Sequence, residues 1–156
     1  MQIKSLIKLH TKVTPETSVG RVWQLLARRD ITLVPVVTRE NKLIGVIGED
    51  DVLYRLVPDY REYFSEFLPE GPDESDLRAK LTKEIALTAA DVMNTKVISV
   101  APDASVYKGL SRMMAYHVRA LPVATDKGKY VGMILEDDIM SYLFELHEKV
   151  IKQQKG

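Results

Sequence analysis

The chain has 156 residues, of which 46% are hydrophobic and 28% charged, a composition typical of a globular protein. Its 22 basic and 22 acidic side chains balance, so no overall positive field favours binding to nucleic acid. Cysteine is absent, which excludes disulfides and thiolate metal sites, and no apolar run approaches the about 18 residues that span a bilayer.

The first 57 residues contain one predicted β-α-β-β-α unit. Ser18 is a good helix N-cap, because its hydroxyl can accept from a free amide of the first turn. Two apolar runs joined by a polar turn predict a β-hairpin, and an acidic triplet then opens a helix. The predicted elements are a strand at Lys12–Thr14 before Pro15, a helix carrying Val19, Trp23 and Leu26, strands at Leu33–Thr38 and Leu43–Ile47, and a helix beginning at Glu49-Asp50-Asp51.

Residues 58–89 read as a helical insert. An aromatic stretch comes first, with Tyr60, Tyr63, Phe64 and Phe67 at helical spacing. Two prolines and a glycine within Leu68–Asp73 then prevent helix continuation. A second helix is predicted at Ser75–Leu87, with an apolar face formed by Leu77, Leu81 and Ile85.

Residues 90–156 repeat the first unit at an offset of 87 residues. Without a gap, 14 of 44 aligned positions between Val13–Leu56 and Val100–Leu143 are identical, where chance would give roughly three. The matching elements are a strand at Val97–Ala101 before Pro102, a helix after the N-cap Ser105, strands at Ala120–Thr125 and Tyr130–Leu135, and a helix from Asp137 to about Gln153. That last helix outruns the repeat, and its surplus apolar stripe (Tyr142, Leu143, Leu146, Val150) predicts packing on a partner.

The two acidic triplets allow three interpretations. Carboxylates at a helix start are explained without a ligand, as caps that also suit the macrodipole by a few tenths of a kcal/mol each. Alternatively, the two strand-to-helix corners that end in Asp51 and Asp138 indicate two equivalent concave sites. A divalent-cation site for an enzyme is the weakest interpretation, since the three histidines fall far apart and no glycine-rich phosphate loop appears. We expect a protein that is not an enzyme.

Both repeats resemble the CBS (cystathionine β-synthase) domain family. The resemblance rests on a proline-centred strand and a glycine-to-aspartate strand-to-helix turn in each unit, and on the segment Ala90-Asp91-Val92-Met93 that opens the second. It implies two repeats packed around a pseudo-twofold axis, with clefts between them that hold adenosine-containing ligands. Candidates are AMP, ADP, ATP, S-adenosylmethionine and cyclic di-AMP. It also implies a flat homodimer that regulates an unidentified partner protein. A cytoplasmic location is expected from the sequence itself, which has no cysteine and no apolar run long enough to span a bilayer.

The resemblance also assigns candidate binding residues. Asp51 and Asp138 would accept from the ribose hydroxyls. Phosphate would meet nearby bases, chiefly His10, Lys96 and Arg119, with Lys8, Arg28 or Arg29 and His117 as further candidates. Adenine would contact an apolar set: Leu33, Pro35, Val97, Ala120 and Pro122.

The chain departs from the family at one position in each repeat. Where the family often has a threonine or serine in the turn, this sequence has Gly48 and Leu135. The departure favours an alternative, a structural dimerisation or adaptor module without a ligand. It also makes Leu135 a poor cap, so we expect the last helix to begin at Glu136.

Overall fold

The computed structural model describes residues 1–28, 30–56 and 73–156. Its elements are a 3₁₀ helix at Ile3–Leu6, α1 (Val19–Leu26), β1 (Leu33–Val37), β2 (Leu43–Gly48), α2 (Glu49–Leu56), α3 (Glu74–Ile85), α4 (Ala89–Val92), α5 (Val106–Tyr116), β3 (Ala120–Ala124), β4 (Tyr130–Leu135) and α6 (Glu136–Gln154). The predicted aromatic helix of the insert, the prolines that follow it and Arg29 lie outside the described residues.

The predicted mixed α+β class is confirmed, with two small antiparallel sheets, β1–β2 and β3–β4. Both serine caps are present: Ser18 Oγ accepts from the amide of Arg21 at 3.2 Å, and Ser105 Oγ from that of Lys108 at 3.1 Å. The last helix begins at Glu136 as expected. However, α2 begins at the equivalent Glu49, so the poor cap Leu135 does not shift the start.

The predicted strands at Lys12–Thr14 and Val97–Ala101 are wrong in extent. Each is reduced to one parallel bridge, Val13 to Val36 and Val100 to Val123. A proline lies two residues after each bridge and cannot donate to a ladder, so the pairing stops.

The chain forms two compact units that do not follow the order of the repeats. The unit that contains Asp138, called the Asp138 unit, consists of Met1–Thr11, Asn41–Leu43 and Ile98–Gly156. The Asp51 unit consists of Lys12–Glu40 and Ile44–Val97. Each unit therefore includes a short segment that precedes the other unit's hairpin in the sequence. The boundaries predicted from the repeat (1–57, 58–89 and 90–156) stay a prediction.

In the Asp138 unit, the N-terminal segment lies along β4. Leu9 forms an antiparallel bridge with Met133, whose amide donates to Leu9 O at 2.8 Å. Tyr130 anchors the end of this segment, because its hydroxyl donates to Thr11 O at 2.7 Å, and burial raises the pKa of the Tyr130 phenol. The core beneath is apolar and consists of Ile3, Val100, Val106, Met113, Leu121, Val123, Ile134 and Ile139.

The Asp51 unit uses the same arrangement with a different segment. Asn94 bridges Val46, and the two residues exchange backbone hydrogen bonds of 3.0 and 2.8 Å. The segment before it is α4, which is closed by a capping interaction between Thr88 and Asp91. Each hairpin thus gains an antiparallel neighbour on its second strand from a distant part of the chain.

The predicted apolar face of α3 is wrong. Leu77 and Ile85 are 39% and 45% exposed, whereas Glu84 is the buried residue of the helix at 6%. Glu84 Oε1 lies 2.8 Å from Arg55 Nε of α2, and this ion pair supplies the reason a carboxylate faces inward. By contrast, most of the surplus stripe of α6 is exposed, with Leu143 at 40% and Val150 at 50%, while Tyr142 packs partly against the core. Its packing on a partner stays a prediction.

The stability of the Asp51 unit should depend on pH through the carboxylate of Asp91. Its carboxylate accepts from the Thr88 amide at 2.9 Å and the Thr88 hydroxyl at 3.0 Å, and these bonds lower the Asp91 pKa below 3.8. A carboxyl whose folded pKa is depressed stabilises above its unfolded pKa and loses that contribution as the pH falls through its folded pKa. Asp91→Asn should therefore lower the urea midpoint at pH 6, and the gap to wild type should shrink below about pH 4.

The matched control for this experiment is Asp126→Asn, in the exposed turn between β3 and β4. It should leave the urea midpoint near wild type at both pH values. A gap for Asp91→Asn that persisted unchanged at pH 2–3 would show that the carboxylate bonds do not stabilise the fold.

Candidate functional site

The candidate site in each unit is the corner where the second strand of the hairpin passes into a helix. In the Asp51 unit, Asp51 Oδ2 accepts from the Gly48 amide at 2.7 Å. In the Asp138 unit, Asp138 Oδ2 accepts from the Leu135 amide at 3.2 Å. Each aspartate is thus the acidic half of a capping box, and the first half is missing because neither Gly48 nor Leu135 carries a hydroxyl.

Both capping carboxylates can still accept further hydrogen bonds. An ionised carboxylate has two acceptor oxygens, and one backbone amide occupies only part of one. The side chain of Asp138 is 11% exposed, and its second oxygen, Oδ1, lies 3.9 Å from Lys8 Nζ. Both aspartates are half-buried at the start of a helix, where the positive end of the dipole favours negative charge.

Arg119 lies beside the Asp138 corner at the end of the β3–β4 ladder. Its carbonyl accepts from the Glu136 amide at 2.8 Å, and its Nε donates to Glu136 Oε2 at 3.0 Å. The side chain is 76% exposed. Since only Nε is engaged within the described part of the chain, both terminal nitrogens remain available to an anion.

Backbone pairing decides which of the predicted bases reach a corner. Because the segment through Leu9 is antiparallel to β4, residues before Leu9 run towards Asp138 and residues after it run away. Lys8 accordingly approaches Asp138, whereas His10 Nδ1 lies 3.1 Å from Val131 O, near the start of β4. Lys8, which the sequence indicated only as a further candidate, is therefore the base nearest to Asp138 in this segment.

The same geometry applies to Lys96 in the Asp51 unit. Asn94 pairs with Val46, so Lys96 lies beyond it in the direction of Ile44 and away from Asp51. Lys96 is exposed, and its amide donates to Asn94 Oδ1 at 3.0 Å. Within this unit the structure therefore does not bring Lys96 and Asp51 together.

The remaining candidates have ordinary environments. Of the apolar set, Pro35, Ala120 and Pro122 are buried, and Leu33 and Val97 are half-buried. Ala120 pairs with Leu135 at the Asp138 corner, and Pro122 pairs with Met133 farther along the ladder. Of the further bases, Arg28 pairs with Asp30 at 3.4 Å, and His117 caps the end of α5.

A separate cavity of about 210 Å³ lies in the Asp51 unit between α1 and α2. It is lined by Trp23, Leu26, Ala27, Glu49, Val52 and Leu53, so Glu49 is its one residue from the acidic triplet. Residues 1–28, 30–56 and 73–156 contain no cluster of His, Asp and Glu side chains that could hold a metal ion, and no helix among them is long and apolar enough to cross a membrane.

Comparison with protein families identifies the repeats. The model of the CBS domain matches residues 9–58 and 89–145, more than half of the chain. The chain belongs to the CBS domain family. Its two CBS segments coincide with the repeats recognised from the offset of 87 residues.

Similar proteins match along nearly the full length of this CBS protein. An uncharacterized protein of Methanocaldococcus jannaschii is 27% identical over 154 residues, covering 92% of this chain and 91% of that one. The structure of the CBS-pair protein CBSX2 of Arabidopsis thaliana in complex with AMP has a TM-score of 0.70, with 18% identity and coverage of 94% and 98%. That likeness shows the fold.

Several of the similar proteins are enzymes. Inosine-5'-monophosphate dehydrogenase of Aquifex aeolicus is 28% identical over 128 residues, which are 82% of this chain but only 21% of the dehydrogenase. The likeness is therefore confined to the CBS part, and the dehydrogenase activity does not transfer with it.

Proposed function

We propose that this CBS-pair protein is a regulatory module that binds an adenosine-containing nucleotide and modulates a partner protein. The observation that carries the proposal is the Asp138 corner. There a half-buried carboxylate keeps one oxygen beside an exposed lysine, and the exposed guanidinium of Arg119 pairs with Glu136 of the same acidic triplet. Sugar acceptor and phosphate donors are thus present together, and CBSX2, a protein of the same fold, has been solved with AMP.

In this proposal Asp51 and Asp138 accept from ribose hydroxyls, and the apolar set (Leu33, Pro35, Val97, Ala120, Pro122) contacts adenine. His10, Lys96, Lys8 and Arg119 supply positive charge. The ligand is one of AMP, ADP, ATP, S-adenosylmethionine and cyclic di-AMP. Binding regulates the partner by shifting a conformational equilibrium, and only as far as the ligand prefers one conformation.

Ligand binding should appear as thermal stabilisation. A nucleotide present at about 100 times its Kd stabilises the folded state by about 2.7 kcal/mol, which raises the Tm of a protein of this size by about 5–10 °C. A thermal-shift screen of the five candidates plus NAD, followed by calorimetry on any hit, measures this. Asp138→Ala should reduce the shift. Absence of both a shift and binding heat for all six compounds would contradict the proposal.

A ligand-free structural module remains the second candidate. Two observations favour it: each aspartate already caps its helix, and Gly48 and Leu135 lack the hydroxyl that could meet a phosphate. The exposed stripe of α6 would then form a homodimer or adaptor contact. Pull-down of a partner that ignores nucleotide and both Asp51→Ala and Asp138→Ala distinguishes this candidate from the first.

A further inference from the structure

The two corners share their acids and differ in their bases. At the offset of 87 residues, Glu49, Asp50 and Asp51 match Glu136, Asp137 and Asp138 one for one. In both units the last aspartate accepts from the amide three residues before it. The chain therefore contains an internal control, two corners of the same backbone geometry whose electrostatics can be compared.

Among the described residues, basic side chains pair with the acidic triplet at one of these corners and not at the other. Lys8 lies 3.9 Å from Asp138, and Arg119 lies 3.0 Å from Glu136. In the Asp51 unit, Thr32 occupies the position that corresponds to Arg119. Met93 corresponds to Lys8, because each immediately precedes the residue (Asn94 or Leu9) that bridges the second strand of its hairpin. No described residue forms an ion pair with Glu49 or Asp51.

This difference sets the local charge that an incoming phosphate meets. The Asp138 corner has three carboxylates and two cations, whereas the three carboxylates of the Asp51 corner have no paired cation among residues 1–28, 30–56 and 73–156. A terminal phosphate carries about −1.5 to −2 charges near pH 7. At the Asp51 corner it would face like charge at short range, where repulsion is strong.

Resting on the proposed function, we infer that the two corners accept different ligand classes. The Asp138 corner takes the phosphorylated adenosine nucleotide, and the Asp51 corner excludes phosphate and takes only an adenosyl group that lacks it. The chain then binds one adenosine phosphate, not two.

Because the ion pairs at the Asp138 corner are exposed, little free energy is lost when a bound phosphate replaces the carboxylate as the partner of a base. Lys8 is 72% exposed and its 3.9 Å contact with Asp138 is long, so little is lost when Lys8 turns to a phosphate. Asp138 Oδ1 is then released to accept from ribose, while the terminal nitrogens of Arg119 bind the phosphate in a forked arrangement.

Isothermal calorimetry with AMP, ATP and adenosine tests this inference on the full chain. Wild type should bind one AMP or ATP per chain, with an affinity that falls as salt is added. The double variant Lys8→Gln, Arg119→Gln should weaken AMP binding at least about tenfold and leave adenosine binding within about twofold. Both side chains are exposed, so the variant should fold. Lys127→Gln, in the turn at the opposite end of the same hairpin, is the matched control.

A gain of binding provides the complementary test. Thr32→Arg places a guanidinium at the Asp51 corner where Arg119 lies in the other unit, and it should raise the AMP stoichiometry towards two. If the double variant keeps the wild-type ratio of AMP to adenosine affinity, or wild type binds two AMP molecules equally, the inference is overturned and the proposed function stands. If wild type binds none of the three compounds, the inference is overturned, and the proposed function is decided separately by the thermal-shift screen of all six compounds.

Discussion

Gly132→Ala should be among the most destabilising single-methyl changes in the chain. A Cβ at this position would collide with Ile7 Cγ2 and would lie 3.1 Å from both Leu9 O and His10 Nδ1. The carbonyl of Leu9 is backbone, held by its bond to the Met133 amide, so it cannot move aside as a side chain could. The φ of +157° adds to the strain. We expect a loss of about 2–3 kcal/mol in the free energy of unfolding, typical of overpacking against a fixed neighbour.

Two other glycines serve as matched controls in urea denaturation. At the equivalent Gly45, the new Cβ meets Met93 Sδ at 2.6 Å and Met93 Cβ at 3.1 Å. The sulfur end can swing away and only the Met93 Cβ must shift slightly, so Gly45→Ala should cost less than Gly132→Ala. Gly128 has a φ of +79° and no atom within 4 Å, so Gly128→Ala isolates the conformational cost of about 1 kcal/mol. A Gly132→Ala variant no less stable than Gly128→Ala would show that the N-terminal segment does not pack on β4.

Local structure was predictable wherever it depends on residues that are close in the sequence. Strand β4 was predicted at Tyr130–Leu135, where it lies, and the caps at Ser18 and Ser105 were correct, because a hydroxyl and an amide three residues apart need no tertiary information. The two acidic corners follow from the same logic, since each is a strand end and a helix start joined without a loop.

The sequence did not reveal arrangements that depend on a distant segment. His10 and Lys96 belong to the segments that pair with the hairpins, and antiparallel pairing directs each away from the corner of the hairpin that it pairs with and directs Lys8 towards one. Sequence distance does not reveal the direction of such pairing. A signal was nevertheless present, because once Leu9 and Met133 are known to pair, the position of Lys8 follows from alternation along the strand.

Glu84 is the clearest failure and leads to the second large effect. The spacing of Leu77, Leu81 and Ile85 predicted an apolar contact, whereas the helix buries a carboxylate against Arg55. Arg55 Nε and Glu84 Oε1 are 2.8 Å apart, yet the N–H is not aligned for a hydrogen bond, so the oxygen depends on charge attraction. Arg55→Ala would leave that carboxylate buried without its counter-charge.

We expect Arg55→Ala to lower the free energy of unfolding by about 2 kcal/mol, less than the roughly 3–5 kcal/mol of a fully buried pair because Arg55 is 43% exposed. The double variant Arg55→Met, Glu84→Met should recover most of the loss, since apolar side chains remove the cost of a buried charge. Arg78→Ala is the matched control. It breaks the exposed Arg78–Glu74 pair on the same helix and should cost no more than about 0.5 kcal/mol. Equal losses for Arg55→Ala and Arg78→Ala in urea denaturation would mean that α3 is held by other contacts and that the buried charge is hydrated.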